Sequence, residues 1–521
     1  MNTSTNLPLA LFSALRGRLF TRVIDDYSRN EPVQLRGWTL LALSLYLSTK
    51  IRKYQDFRIG VALPPGIAGI LGNLAVLFAG KVPVNLNLTV SRDSMVASLK
   101  EAEIKVILSA GKVRAKFPDF PWTDDFIDLG TSIQSEKSRK VALLFLALQL
   151  VFLPLKIRKR FGLNQIAKNR KEAVLLFTSG SSSQPKGVVL SDQNILSNCG
   201  QMNSLGLFKK DMKILGNLPL FHSFGLSVGT FFPLLHNLRI ISAPSPLDYK
   251  SSIRAIRRGK AEVVLGTPTF LKGYLKKGKP NDFKSVRYVV AGAEKSPSDL
   301  IKSWEGEHGC EYLEGYGLTE TSPGLSFNLP GKGKKEGSVG KLMMGIEGRT
   351  IQPESGSILQ ENEPGILCFR GPNIFKGYLN DPEKTNSVLS DDGWFITGDL
   401  GRIDNDGFLF IEGRSSRFSK VGGEMVSHEL VEEAVTKILS EEQHVDALTV
   451  AVTGISDKLK GECLVLLLLQ EIDKKWLADQ LRETGLPNLW IPKKHIVVEE
   501  IPVLGSGKLD LRKINQLAAL G

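Results

Sequence analysis

Between Arg58 and about Ala110 the apolar residues change their spacing in a regular order. Arg58 to Leu63 is a short apolar run and reads as a strand. Gly66 to Ala79 reads as a helix, and Val82 to Leu86 as the next strand. Ser94 to Glu103 follows as a helix and Lys105 to Ser109 as a strand. A β-α-β-α-β order predicts a helix-covered, partly parallel sheet, and so an α/β fold.

Three other stretches have a different pattern. Leu11, Leu15 and Leu19 share helical spacing with Arg16, Arg18 and Arg22 nearby. They fit a basic amphipathic helix or a helix packed on the body. Val141 to Leu155 is uncharged and apolar on every side, broken by Gln149 and Pro154, with Lys156, Arg158, Lys159 and Arg160 directly after it. It is short for a spanning helix, which needs roughly 20 residues. Two readings stand: a buried helix, or an interfacial segment with its basic end on phosphates. After Gly413, Leu430, Val431, Ala434, Val435, Ile438 and Leu439 form one face of an amphipathic helix among short strands. That change of character places a domain boundary near Arg414 to Arg417. The expected units are 1–413 and a small α+β domain over 414–521.

The length of 521 residues agrees with more than one domain. Four cysteines lack CxxC spacing, which argues against a zinc site or a disulfide framework and fits a reducing cytoplasm. The net charge of +13 suits an anionic partner. No zinc-finger or aromatic RNP segment is present, so nucleic acid is disfavoured relative to nucleotide, membrane surface or acidic protein.

Four motifs carry chemistry. In the first, an apolar strand runs into Thr178, Ser179, Gly180, Ser181 and Ser182, then Lys186 and Gly187. Small hydroxyl residues and open backbone N–H groups can wrap phosphate oxygens, and Lys186 adds a point charge. A β run follows the lysine where a Walker A loop would open a helix. A flexible Ser/Gly linker would lack the flanking strands. The second motif is Glu314, Gly315, Tyr316, Gly317, Leu318, Thr319 and Glu320. It offers a turn, a ring for stacking, a hydroxyl and a hard oxygen ligand for Mg²⁺, although a Gly-rich turn with a surface glutamate is common. The third places Asp399 at a strand end, the usual way to hold ribose hydroxyls, with Arg414 downstream. A β-hairpin with a surface acid is the plainer alternative. The fourth sets Lys508 on a Gly505-Ser506-Gly507 arm that could reach into a cleft.

In this order the four motifs resemble those of the adenylate-forming superfamily of acyl-CoA synthetases, luciferases and peptide-synthetase adenylation domains. The resemblance covers about residue 55 to the end. Leu218 to Gly225, Val289 to Lys295, Gly423 to Ser427 and Leu504 to Lys508 look most like the synthetase half of the bacterial acyl-acyl-carrier-protein synthetase/2-acylglycerophosphoethanolamine acyltransferases.

The resemblance implies an ATP- and Mg²⁺-dependent ligase that converts a fatty acid to an acyl-adenylate. It then passes the acyl group to the thiol of acyl-carrier protein or, as the alternative, CoA. It also implies roles. Thr178 to Lys186 would hold the β/γ-phosphates. Tyr316 would stack on adenine, with Gly292, Ala293 and Glu294 lining its pocket. Thr319 would touch the α-phosphate and Glu320 would bind the metal. Asp399 and Arg414 would hold the ribose, and His222 would lie between acyl and nucleotide sites. Lys508 would bridge carboxylate and α-phosphate, and Gly422 and Gly423 would line a thiol tunnel opened by rotation of the small domain.

Two departures stand out. Arg417 occupies a hinge position that in the superfamily usually carries Asp or Lys. None of the six histidines heads a His-x4-Asp pair, so no acyltransferase step is expected. A non-catalytic membrane-bound protein that kept the fold is the reading from another class, and the full motif set argues against it. The expected location is cytoplasmic, peripheral on the inner face of a bacterial membrane, where fatty acids partition.

Overall fold

The computed structural model describes residues 5–133, 137–163, 165–166, 170–178, 185–414, 417–421, 424–443, 450–457, 461–503 and 509–520. The alternation read from the sequence is present. Strand Arg58–Val61 is followed by helix Ile67–Phe78, strand Val82–Asn85, helix Arg92–Glu101 and strand Val106–Ser109. They build a six-stranded sheet ordered Asp125–Asp128, Val106–Ser109, Arg58–Val61, Val82–Asn85, Val174–Thr178 and Lys186–Leu190. Its first five strands are parallel and the last closes an antiparallel hairpin. Val82, Val84, Val106 and Leu108 are fully buried. Helices cover parallel strands on both faces, which is why these strands read as continuous apolar runs.

A second, nine-stranded sheet has six parallel strands in the order Glu311–Gly317, Tyr288–Ala291, Val263–Gly266, Lys213–Leu215, Arg239–Ser242 and Arg22–Asp26. Antiparallel strands finish both edges. A four-stranded antiparallel sheet follows, from Glu347–Ile351, Gly365–Arg370, Phe395–Ile403 and Leu409–Arg414. Among the described residues, every strand after Arg414 joins a further sheet, with Gly461–Leu468 at its centre. The amphipathic helix is His428–Gln443, and its buried Val431, Val435, Ile438 and Leu439 pack in a core made only of residues from this segment. Arg417 is buried there. It pairs with Glu432 of the helix His428–Gln443 and donates to the Val452 carbonyl at 3.0 Å, so its positive charge is neutralised within the C-terminal segment.

Of the N-terminal leucines, Leu11 and Leu15 belong to a helix packed on the body, and Leu19 is buried in the turn beyond its end. Leu7–Arg16 buries Leu7, Leu11, Phe12 and Leu15, and the Asn6 side chain caps it by accepting from the Leu9 N–H at 2.8 Å. The apolar run forms helices Lys137–Phe152 and Pro154–Arg160. The proline ends the first helix, because it has no N–H and its ring clashes with the preceding turn. Of the described side chains, Leu146, Leu150 and Ile157 face the core, beside helix Gly37–Ile51. Phe145, Leu148, Phe152 and Leu155 face outward. From Phe145 onward the run therefore has one face buried and the other open to solvent. Among the described residues no helix is long and apolar enough to cross a membrane.

Candidate active site

Four neighbouring parallel strands deliver their following loops to one edge of the nine-stranded sheet. Lys213–Leu215 leads to His222, Val263–Gly266 to Thr269, Tyr288–Ala291 to Gly292–Glu294, and Glu311–Gly317 to Thr319 and Glu320. The carboxyl ends of parallel strands are where open α/β sheets hold ligands.

Close packing shapes this edge. A Cβ on Gly317 would lie 1.9 Å from the Pro323 carbonyl oxygen, so only glycine lets the chain turn there. The turn continues as a single 3-10 coil, Thr319–Thr321, with the Leu318 N–H donating to Thr321 Oγ1 at 3.0 Å. Gly292 lies against Gly315, where an added Cβ would be 3.3 Å from the Gly315 carbonyl oxygen. Ala293 adopts φ 72° and is exposed. The Glu294 carboxylate accepts from the Thr269 hydroxyl at 2.7 Å and from its N–H at 3.2 Å. Burial raises the Glu314 pKa, and hydrogen bonding from Ser296 opposes the rise.

Two residues that the sequence reading assigned to adenosine, Tyr316 and Asp399, are in contact. The Tyr316 hydroxyl donates to Asp399 Oδ2 at 2.5 Å, across from the four-stranded sheet. Asp399 is buried, and its own N–H donates to Thr397 Oγ1 at 3.0 Å. Its backbone pairs with Arg414 in the antiparallel register, which brings that residue's main chain to the same place.

Lys186 and Glu320 are linked through a side chain that sequence reasoning missed. The Tyr378 hydroxyl donates to Glu320 Oε1 at 3.0 Å. Lys186 Nζ lies 5.7 Å from the centre of the Tyr378 ring. Burial and the facing Glu320 carboxylate push the Tyr378 pKa up, so the phenol stays protonated and remains a donor. The Phe375 N–H donates to the Glu320 carbonyl at 2.7 Å and fixes that residue's backbone. Thr178 and Lys186 face each other across the hairpin. The strand after Lys186 is held on its other side by bonds from Leu379 N–H to Gly187 O (2.7 Å) and Val189 N–H to Gly377 O (3.1 Å). A Cβ on Gly187 would meet Leu379 Cβ at 2.9 Å, which explains the glycine after the lysine. Ser223, next to His222, is also unforeseen; its hydroxyl lies 3.5 Å from Thr319 Oγ1. His222 is exposed and lies against Phe221, ring centres 4.6 Å apart. It starts the turn that leads into a π-helix, Phe224–Phe231, a geometry frequent at functional sites.

Nothing in the sequence around Tyr378 marks it, because its partners Lys186, on a strand of the six-stranded sheet, and Glu320, in the 3-10 turn, are distant in the chain. Ser179, Gly180, Ser181, Ser182, Gly422, Gly423 and Lys508 lie outside the described residues. Among the described residues there is no cluster of three or more His, Cys, Asp or Glu suited to a metal. A cation here would rest on Glu320 together with oxygens of its own ligand, a donor set that suits Mg²⁺.

Comparison with known proteins agrees with this picture. A long-chain-fatty-acid–CoA ligase of Bacillus subtilis (strain 168) is 27% identical over 483 residues, 88% of this chain and 85% of that protein. The mitochondrial medium-chain acyl-CoA ligase ACSF2 of Rattus norvegicus is 28% identical over 354 residues. The match covers 65% of this chain and 56% of the relative, little more than half its length. In three dimensions, ATP-bound MatB from Rhodopseudomonas palustris superposes with a TM-score of 0.79 at 24% identity, over 98% of this chain and 99% of that one, and so shares the fold. The model of the AMP-binding enzyme family matches residues 41–379. The chain is an enzyme of the AMP-binding family.

Proposed function

We propose that the chain is an acid–thiol ligase that activates a long-chain fatty acid with ATP and Mg²⁺. It forms an acyl-adenylate with release of pyrophosphate, then passes the acyl group to the thiol of acyl-carrier protein with release of AMP. The reading rests on one observation above all: the Tyr316–Asp399 pair and the Lys186–Tyr378–Glu320 row are linked by a single turn, Gly317 to Glu320. That spacing suits a nucleoside at one end and its phosphates at the other.

In this reading Tyr316 and Gly292 to Glu294 border adenine, and Asp399 with Arg414 holds the ribose hydroxyls. Thr178 to Lys186 grips the β/γ-phosphates, and Thr319 touches the α-phosphate. Glu320 would hold Mg²⁺, whose charge offsets that of the phosphates. The fatty carboxylate attacks the α-phosphorus in line, and pyrophosphate leaves. Two anions must meet for this, so Lys508 bridges them and neutralises the charge that grows on phosphorus. His222 stands between the acyl and nucleotide sites. Residues 1–413 and 414–521 act as two domains, and the smaller rotates to withdraw Lys508 and admit the thiol along Gly422 and Gly423. The enzyme works in the cytoplasm, held peripherally at the inner face of a bacterial membrane.

The acceptor has two readings. Lys474, Lys475, Lys493 and Lys494 are exposed on the smaller part, and an acidic carrier protein suits that surface. The relatives are named as CoA ligases, which favours CoA. Labelled palmitate and ATP, offered with holo-acyl-carrier protein or with CoA, decide between them. Thioester on the carrier alone supports the first reading, and thioester on CoA alone replaces it with the second. No thioester on either, with no pyrophosphate exchange, would end the ligase reading.

A further inference from the structure

The segment from Phe145 to Arg160, in helices Lys137–Phe152 and Pro154–Arg160, presents an exposed apolar surface. Phe145, Leu148, Phe152, Leu153 and Leu155 are 55%, 49%, 74%, 41% and 72% exposed. Phe145, Leu148 and Phe152 follow the i, i+3, i+7 spacing of one helix face, and Leu146 and Leu150 of the same helix are buried. Phe152, Leu153 and Leu155 flank the break between the two helices at Pro154. Ile157 alone anchors the second helix in the core. The opposite charge is absent here: no Asp or Glu occurs from Lys137 to Phe161. Lys156, Lys159 and Arg160 are exposed directly beyond the apolar cluster. Arg160 also leans on Gln149 Oε1 at 3.4 Å, which keeps its charge beside the apolar face.

Contiguous exposed apolar surface of this kind marks an interaction site. Two occupants can be compared on charge. A second copy related by a twofold axis would set lysine against lysine with no acid between them. An anionic bilayer satisfies both parts: acyl chains take the aromatic and leucine side chains, and phosphates take the cations. Insertion across the bilayer is excluded by length. The first helix has 16 residues. It is therefore about 24 Å long and short of the roughly 30 Å hydrocarbon core. It also remains fastened to the core through Leu146 and Leu150.

We propose that the elbow of Phe145 to Arg160 is the docking surface for an anionic lipid bilayer, with Phe152 and Leu155 dipping below the headgroups and Lys156, Lys159 and Arg160 on the phosphates. The proposal rests on the peripheral-membrane reading and assigns it a surface.

Co-sedimentation of the full chain with phosphatidylglycerol-containing and pure phosphatidylcholine vesicles tests it. The wild type should partition to the anionic vesicles and be released by salt. Phe152→Ser/Leu155→Ser should lower partitioning at least tenfold. Lys156→Glu/Lys159→Glu/Arg160→Glu should lower it by about fivefold per basic residue lost and abolish the preference for anionic lipid. All four native cysteines are buried, so Phe152→Cys can carry a polarity-sensitive dye. Its emission should shift to the blue on vesicle addition. Unchanged melting temperature and pyrophosphate exchange show that the variants fold. A wild type that binds neither vesicle ends the peripheral reading itself. A wild type that binds anionic vesicles while both variants bind equally well leaves that reading standing and overturns the assignment to this surface. A dimer that the apolar variant converts to monomer makes a second copy the occupant and also overturns it.

Discussion

At the scale of the residue, the informative contacts cluster on Glu320. One of its carboxylate oxygens receives the Tyr378 hydroxyl, and its backbone carbonyl is fixed by Phe375. If the carboxylate holds Mg²⁺, Glu320→Gln removes a hard oxygen ligand. The expected result is a magnesium titration shifted to higher concentration and a raised KM for ATP. An unchanged titration would count against Glu320 as the ligand. Tyr378→Phe keeps the ring beside Lys186 and removes only the donor. A hydrogen bond to a charged group is worth about 1.5–3 kcal/mol, so a rise in KM for MgATP of roughly tenfold or more is expected, with folding preserved. Lys508 has a sharper test. Lys508→Ala should nearly abolish ATP–pyrophosphate exchange and spare thioester formation from preformed acyl-adenylate, because two anions meet only in the first step. Near-normal exchange would sink its assignment.

At the scale of the element, the turn between the Glu311–Gly317 strand and Glu320 is the most constrained piece of the site. Its position depends on a glycine whose added Cβ would strike backbone, which cannot swing aside as a side chain can. Gly317→Ala should cost about 1–3 kcal/mol through overpacking. It should also displace Thr319 and Glu320 together, so that adenylate formation falls further than stability does. Gly306→Ala is the matched control, since nothing lies within 4 Å of the Cβ it would add. Thermal melts and pyrophosphate exchange on both variants make the comparison. Equal activity in the two would show that the turn tolerates a shift. Helix His428–Gln443 carries a second device at its start. The His428 ring is buried and bonded to Ser419 Oγ at 2.8 Å. Burial, then the neighbouring Arg417 charge, lower its pKa from 6.5 to about 3. Unfolded, the ring takes a proton below about pH 6.5; folded, it takes none until about pH 3. The unfolded state therefore binds more protons in that window, and stability falls as pH falls. The slope approaches about 1.4 kcal/mol per pH unit. Hydrogen exchange in peptides of this helix should show opening free energies that decline from pH 6 to 4, and His428→Gln should flatten the decline. An equal slope in the variant would exclude the ring as its source.

At the scale of the whole molecule, sheets divide the labour. The six-stranded sheet supplies the Lys186 hairpin, the nine-stranded sheet the Tyr316–Glu320 turn, and the four-stranded sheet Asp399. The segment after Arg414, about a fifth of the chain, has its own sheet and core, and one of its contacts with the larger part is an exposed ion pair, Lys295 to Glu433 at 2.9 Å. Surface pairs of this kind contribute about 0–1 kcal/mol, so this contact yields readily if the smaller part rotates.

The sequence by itself determined the features that depend on neighbours in the chain. Apolar spacing was enough to locate the strands and helices from Arg58 to Ser109, because burial on both faces leaves a run and burial on one face leaves a period. The motif residues were legible because glycines, small hydroxyls, a lysine and acids crowd into short spans, the kind of local donor set that a bound anion or cation requires. Only the tertiary structure decided what depends on distant partners. Tyr378 joins the site because packing of the 376–379 segment along the Lys186 strand brings its ring beside Lys186 and its hydroxyl to Glu320. The run from Val141 to Leu155 was ambiguous because apolar residues on every side give no preferred face. The packing of Leu146 and Leu150 beside helix Gly37–Ile51 decided which face is buried, and thereby left Phe152 and Leu155 open to solvent.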